Sequence, residues 1–174
     1  MAKYEDKYFD LEKMGPGNIR SPRVNELKRL VLELDLPLGG NNFIITLKDG
    51  KPIAGINFDK GKSPWHVYFI VSKDRERIHY PALAMKIYEM AEKEGGKLIA
   101  GNLALSGIRA MQRLKKEIDF PVRFFTGENK TVSIEIRVST PSRILHQRTR
   151  KYRKIITGKK QARAKKRSLP KLLK

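Results

Sequence analysis

The chain has 174 residues, with 38 Lys and Arg against 18 Asp and Glu, and no cysteine, which excludes disulfides and thiolate metal sites. Its length favours one domain with an appendage, and its 40% hydrophobic content is enough for a core, which excludes a wholly disordered chain. The N-terminal residues lack the apolar segment of a signal peptide, and no stretch approaches the roughly 20 apolar residues of a membrane span. We therefore expect a cytoplasmic protein with no membrane partner.

Positive charge is concentrated at the C-terminal end. The segment from Pro141 to Lys174 contains 14 basic and no acidic residues, whereas residues 1–140 contain 24 basic and 18 acidic ones. This asymmetry predicts three parts: an N-terminal arm at 1–21, an α/β domain at 22–140 and a basic tail at 141–174.

The first half of the chain predicts one helix followed by strands. Within the arm, Tyr8–Leu11 could add a short strand, and apolar residues at helical spacing predict a helix from Val24 to Leu34. A hairpin signal, Asp49-Gly50, separates two β-rich runs. The next run, Trp65–Val71, has bulky residues on both faces, so we expect a central strand that is covered on both sides. The two runs beside the hairpin signal are Phe43–Leu47 and Ile53–Phe58.

The second half alternates helices with strands. Pro81 suits the first turn of a helix that Gly95-Gly96 ends. Alternating elements of this kind require crossover packing against a mixed sheet. The remaining predicted elements are a strand at Lys97–Ala100, a helix at Leu105–Ile118, and strands at Pro121–Phe125 and Thr131–Val138.

This order of elements resembles the GCN5-related N-acetyltransferase (GNAT) fold over residues 22–138. In that family a glycine-rich turn before the long helix holds the pyrophosphate of acetyl-coenzyme A with its main-chain amides. Here Arg75 stands at the first position of that turn, and Ile78 and Tyr80 occupy both glycine positions, where they would obstruct the phosphates. If coenzyme A binds, the resemblance implies Val71, Arg75 and Arg77 as the residues that hold it.

The family's later motif contains an Asn, an Ala and then a Tyr that acts as the general acid. Aligning Ala110 with the family's alanine places Gly107 at the Asn position and Leu114 at the Tyr position. Protonation of a departing thiolate would therefore need another hydroxyl, such as Tyr88 or Tyr80. We assign no catalytic residue from the sequence.

Other chemistries receive little support from the residues. His66, His79 and His146 lack the near spacing of a metal pair, and we assign no metal site. Aromatic residues such as Trp65 and Phe69 could stack on bases if they faced outward, but in a central strand we expect them in the core.

The basic tail carries the most specific prediction. Apolar residues at helical spacing predict a helix at Ser142–Ile156, and the rest of the tail is expected to be helical or disordered. Such a cation run binds phosphates without reading bases. The residues assigned to nucleic-acid contact are Arg143, Arg148, Arg150, Lys151, Arg153, Lys154, Lys159, Lys160, Arg163, Lys165, Lys166 and Arg167.

Two functions follow from these observations. The first is a DNA- or RNA-binding protein with a non-catalytic GNAT-like body and no cofactor, associated with a nucleoid, a virion or another nucleoprotein assembly. The alternative is an acetyl-CoA-dependent N-acyltransferase or a nucleobase-modifying enzyme, since the phage proteins that alter adenine also resemble this fold. Two further alternatives are a tail for solubility or localisation and a tail that wraps an acidic protein partner.

Overall fold

The computed structural model describes residues 3–15, 21–61, 63–73, 79–127 and 131–168. Seven strands and five helices are assigned in this part of the chain. In chain order they are β1 Tyr4–Asp10, α1 Leu11–Met14, α2 Pro22–Leu34, β2 Asn42–Lys48, β3 Lys51–Asp59, β4 Trp65–Ser72, α3 His79–Lys93, β5 Leu98–Leu103, α4 Leu105–Ile118, β6 Val122–Thr126, β7 Val132–Arg137 and α5 Ser142–Ser168.

The strands form one sheet in the order β1-β2-β3-β4-β5-β7-β6. Every neighbouring pair is antiparallel except β4 and β5, which are parallel and joined by the crossover helix α3. A parallel pair needs such a crossover because its second strand must restart at the same end of the sheet. The predicted mixed α/β sheet flanked by helices is confirmed.

Two apolar clusters lie on opposite faces of the sheet. On one face α2 packs Leu27, Leu30 and Leu34 against Phe9 and Phe43 of the first two strands. The other face is covered by α3, α4 and the start of α5, with buried side chains that come from all three helices and from most of the strands. This second cluster includes Ile56, Val67, Leu83, Ile99, Leu114, Ile134 and Leu145.

Most predicted elements are confirmed, with three differences. The strand near Tyr8 begins earlier, at Tyr4, and pairs with β2 along its whole length. The short helix α1 was missed, and it begins where Asp10 accepts a hydrogen bond from the main-chain N–H of Lys13. The helix predicted to end at Ile156 continues through Ser168, so the tail is helical where the structure describes it.

The prediction that β4 is covered on both faces is wrong. The strand is central, between β3 and β5, but Phe69 is 40% exposed. The reason is that the apolar cluster under α2 reaches β4, among the described residues, only at Val71. Bulky residues on both sides of a strand therefore did not require helices on both sides.

Gly101 is a position at which the backbones of β4 and β5 approach closely. A Cβ atom at Gly101 would lie 2.8 Å from the carbonyl oxygen of Val67 and 3.1 Å from its Cβ. Glycine in a strand often marks such an approach of two backbones. Here it allows the parallel pair to close at Val67 and Gly101, the last paired residues of the two strands.

We expect Gly101→Ala to lower the free energy of unfolding by about 1–3 kcal/mol, because the added methyl group overpacks the contact with Val67. Chemical denaturation followed by circular dichroism measures this change. The matched control is Gly158→Ala, since a Cβ there has nothing within 4 Å and alanine favours a helix. Equal stability of the Gly101→Ala variant and the wild type would contradict the close approach.

Candidate cofactor cleft

The two parallel strands stop pairing partway along their length, and we call the region between their unpaired ends the cleft. They pair only from Trp65 to Val67 on β4 and from Ile99 to Gly101 on β5. Beyond these residues β4 continues to Ser72 and β5 to Leu103 without pairing to each other. Among the residues that the structure describes, no strand lies between the edges of β4 and β5 there.

A bulge in β4 coincides with the start of this divergence. Asn57 of β3 lies opposite Phe69, and Phe58 lies opposite Val67, so Tyr68 is an extra residue in β4. A bulge bends its strand and leaves the extra residue out of the ladder. Side chains alternate between the two faces of a sheet, so one extra residue places every side chain after the bulge on the opposite face from the one that strict alternation would give. Val67 before the bulge and Ile70 after it therefore both contact the cluster under α3.

The carbonyl group of Ile70 points into the cleft. Lys73 N–H donates to the carbonyl of Ile53 on β3, and the alternation of an antiparallel ladder then directs the main chain of Ile70 away from β3. Tyr80, in the first turn of α3, donates its hydroxyl to this carbonyl at 3.1 Å. The tyrosine thus occupies an acceptor on the free edge of β4.

Asn57 fixes the loop that lies beside the bulge. Its side chain is fully buried and accepts hydrogen bonds from the N–H groups of Gly39 and Gly40, both at 2.8 Å. It also donates to the carbonyls of Gly40 and Asn42 at 2.9 and 3.2 Å. Tyr68 packs against this loop, since a Cβ at Gly39 would lie 2.7 Å from its ring.

In the part of the chain that the structure describes, no helix covers the sheet face opposite α3 and α4 beside the cleft. Register places His66, Ala100, Glu135 and Arg123 in one row across β4, β5, β7 and β6. His66 and Glu135 are half-buried and Arg123 is exposed. Neighbouring strands are about 4.8 Å apart, so an imidazole and a carboxylate lie on the same open surface, two strands from each other.

The predicted cofactor residues are only partly described. Arg75 and Arg77 lie outside the described residues, which resume at 79. Val71 is opposite Gly55 of β3 and packs against the apolar cluster under α2. By the same alternation its main chain faces β3, so Ile70, and not Val71, presents its carbonyl to the cleft.

The two candidate general acids have different environments. Tyr88 is fully buried, and its hydroxyl donates to the carbonyl of Thr140 at 2.6 Å and accepts from the N–H of Thr140 at 3.1 Å. Burial raises the pKa of Tyr88, and both contacts hold the start of the tail. Tyr80 reaches the cleft, and Leu114 is buried in the core. Of the hydroxyls considered from the sequence, Tyr80 is therefore the one at the cleft.

The tail residues assigned to nucleic acid lie away from the cleft, on α5. Arg148 donates to the carbonyl of Ile118 at 3.2 Å, at the end of α4. The side chains beyond Gly158 lie outside the described set, although their main chain belongs to α5. The exposed members among the described residues are Arg143, Arg150, Lys151, Arg153 and Lys154.

Sequence reasoning missed the bulge at Tyr68, the role of Asn57 and the open row with His66 and Glu135. A bulge has no reliable sequence signal, because it depends on the pairing of two strands. The asparagine did offer a signal: Asn57 is a polar residue within an apolar strand, and such residues are buried only with partners.

Comparison with known proteins supports the fold and goes no further. No family model and no curated protein matches the sequence. An N-acetyltransferase from Staphylococcus aureus Mu50 is similar in structure, with a TM-score of 0.52 and 11% identity over 79% of this chain and 99% of that one. The AHL synthase LasI is also similar, with a TM-score of 0.53 and 8% identity over 83% and 95% of the two chains. The chain therefore has the GNAT fold.

We expect Asn57→Leu to lower the free energy of unfolding by about 1–3 kcal/mol, because it removes the partner of four main-chain groups, including the buried carbonyl of Asn42. Thermal and urea denaturation measure the loss. Asn25→Leu is the control, since Asn25 is exposed on α2 and surface changes cost less than ~0.5 kcal/mol. Similar losses in both variants would show that Asn57 does not hold the loop.

Proposed function

We propose that the chain is an acyl-CoA-dependent N-acyltransferase whose cofactor binds between the diverging ends of β4 and β5. The observation that carries this proposal is the main-chain edge of β4 at Ile70, which pairs with no strand on its β5 side among the described residues and lies beside the first turn of α3. The GNAT fold favours this function over a non-catalytic body. Two similar structures with different activities also mean that the fold alone does not identify the acyl acceptor.

The residues at the cleft fit coenzyme A. Its pantetheine arm contains amide groups, and an amide-bearing chain can pair with the free edge of a strand as an added strand does. The carbonyl of Ile70 offers one acceptor for such pairing once Tyr80 releases it. The N-terminus of α3 follows β4 and favours the negative charge of the pyrophosphate.

When bound, the cofactor would supply an acyl group activated as a thioester. The open face of the sheet gives an amine a route to the cleft from the side opposite α3. His66 and Glu135 lie on that face as candidate bases that could take a proton from the amine. Tyr80 is the candidate donor to the departing sulfur, because binding at Ile70 would free its hydroxyl within the cleft.

We expect Tyr80→Phe to bind coenzyme A about five- to tenfold more tightly than the wild type. The substitution removes a hydrogen bond that the cofactor must displace, and such a bond contributes roughly 1 kcal/mol. Isothermal titration calorimetry of the full chain with coenzyme A measures the affinity. The control variant is Tyr4→Phe, whose ring is 51% exposed on the edge strand β1.

Titration with adenosine diphosphate separates the cleft from general attraction of phosphates to a basic protein. This ligand has the pyrophosphate without the pantetheine arm, so Tyr80→Phe should leave its affinity unchanged. No binding of coenzyme A to either protein, or equal affinities of coenzyme A and adenosine diphosphate, would refute the proposal.

A further inference from the structure

The first three turns of α5 are fixed to the body. Leu145 is fully buried, and the hydroxyl of Tyr152 donates to the carboxylate of Glu117 on α4 at 2.8 Å. Arg148 bonds to the carbonyl groups of Ile118 and Asp119 at 3.2 and 3.3 Å. The direction of α5 is therefore set by α4, and the helix is attached to the domain by several independent contacts.

Carboxylates of the body that face this part of α5 are already paired with it. Glu92 accepts from the N–H of Ser142 at 3.0 and 3.2 Å, and hydrogen bonds from Ser142 lower the pKa of Glu92. Glu89 pairs with His146, and Asp119 lies 3.4 Å from Arg148. These acids hold the start of the helix in place. The cations farther along have no acidic neighbours on α5 itself, because α5 contains no Asp or Glu.

Most of the protein's net positive charge lies on α4 and α5. α5 contains twelve basic residues and no acidic one, and α4 contains four basic residues and one acidic residue. The two helices thus carry +15 of the net charge of +20. All four basic side chains of α4, Arg109, Arg113, Lys115 and Lys116, are exposed.

A groove runs between the two helices on this basic surface. It has a volume of about 420 Å³ and is lined by Gln112, Arg113, Lys116, Glu117 and Tyr152. Beside it α5 presents four exposed cations within five residues of its middle turns, which we call the α5 cation cluster. The cluster consists of Arg150, Lys151, Arg153 and Lys154.

We propose that α5 and the basic face of α4 form a docking surface for duplex DNA. An α-helix is about 10–12 Å wide, so the part of α5 beyond the turns that are packed on the body can enter the major groove of B-form DNA, which is about 12 Å wide. The 27 residues of α5 extend over ~40 Å with one cation per ~3.4 Å, close to the phosphate spacing along one strand. The narrow major groove of an RNA duplex would exclude the helix.

The composition of α5 disfavours a membrane surface. Insertion at a lipid interface needs a wide apolar face. The apolar residues Leu145 and Tyr152 pack against the body, and the rest of α5, from 153 to 168, contains only two large apolar residues, Ile155 and Ile156. The composition of α5 therefore fits the phosphates of DNA, which are reached through water, better than a lipid surface.

Fluorescence polarisation with a labelled DNA duplex of about 25 base pairs tests the proposal with the full chain. Contact with six or more phosphates predicts a plot of log affinity against log salt with a slope of about −5 or steeper. A slope near zero would overturn the proposal. The readout needs no cofactor or acyl acceptor, so its failure and the failure of the acyltransferase proposal are distinguishable.

The test variant replaces the α5 cation cluster by Arg150→Gln, Lys151→Gln, Arg153→Gln and Lys154→Gln. Glutamine is a good helix former, so α5 is expected to persist, and circular dichroism checks this. Loss of four phosphate contacts should reduce the salt slope by about 3 to 4 and weaken DNA binding at least tenfold at moderate salt.

The control variant removes the same four positive charges as the test variant, but from exposed lysines outside α4 and α5. Its substitutions are Lys13→Gln, Lys28→Gln, Lys51→Gln and Lys97→Gln. It should bind DNA within about threefold of the wild type. Equal losses in both variants would overturn the assignment to α5. Competition by polyglutamate or by an RNA duplex as strong as by DNA would likewise refute duplex DNA as the partner, in favour of an acidic protein or RNA.

Discussion

The contact between Val67 and Gly101 determines the geometry on which the candidate site depends. Because residue 101 has no side chain, the backbones of β4 and β5 approach until a Cβ would lie 2.8 Å from the Val67 carbonyl. The next residue of β4 is the bulged Tyr68, so the strands are held together on one side of this point and separate on the other. The close approach and the bulge together therefore mark the point where the cleft begins.

The sequence predicted the fold well because its signals are local and periodic. Apolar spacing located α2, α3 and α4, and the Asp49-Gly50 turn located the hairpin of β2 and β3. The site was harder to predict because it depends on pairing between distant residues. The acceptor at Ile70 follows from the ladder with β3, and the buried contacts of Tyr88 follow from the path of the chain after β7.

Tyr80 connects the unusual sequence to the proposed chemistry. A tyrosine at a position that is glycine in the GNAT family suggested an obstructed phosphate turn. In the structure its hydroxyl instead bonds to the carbonyl of Ile70, on the main-chain edge that a cofactor would use. In the proposed mechanism, the same side chain closes the edge when no cofactor is bound and supplies a hydroxyl beside the sulfur when the cofactor is present. The basic helix α5 begins on the other side of the domain from the open sheet face, packed on α3 and α4.

Chemical-shift mapping of the isotopically labelled chain during titration with coenzyme A tests the central claim most directly. The account predicts the largest changes in the amides of Phe69, Ile70 and Leu103, on the two edges of the cleft, with smaller changes along α5. Changes confined to the amides of α4 and α5 would mean that phosphates are merely attracted to the basic helices. That result would contradict a cofactor site between β4 and β5.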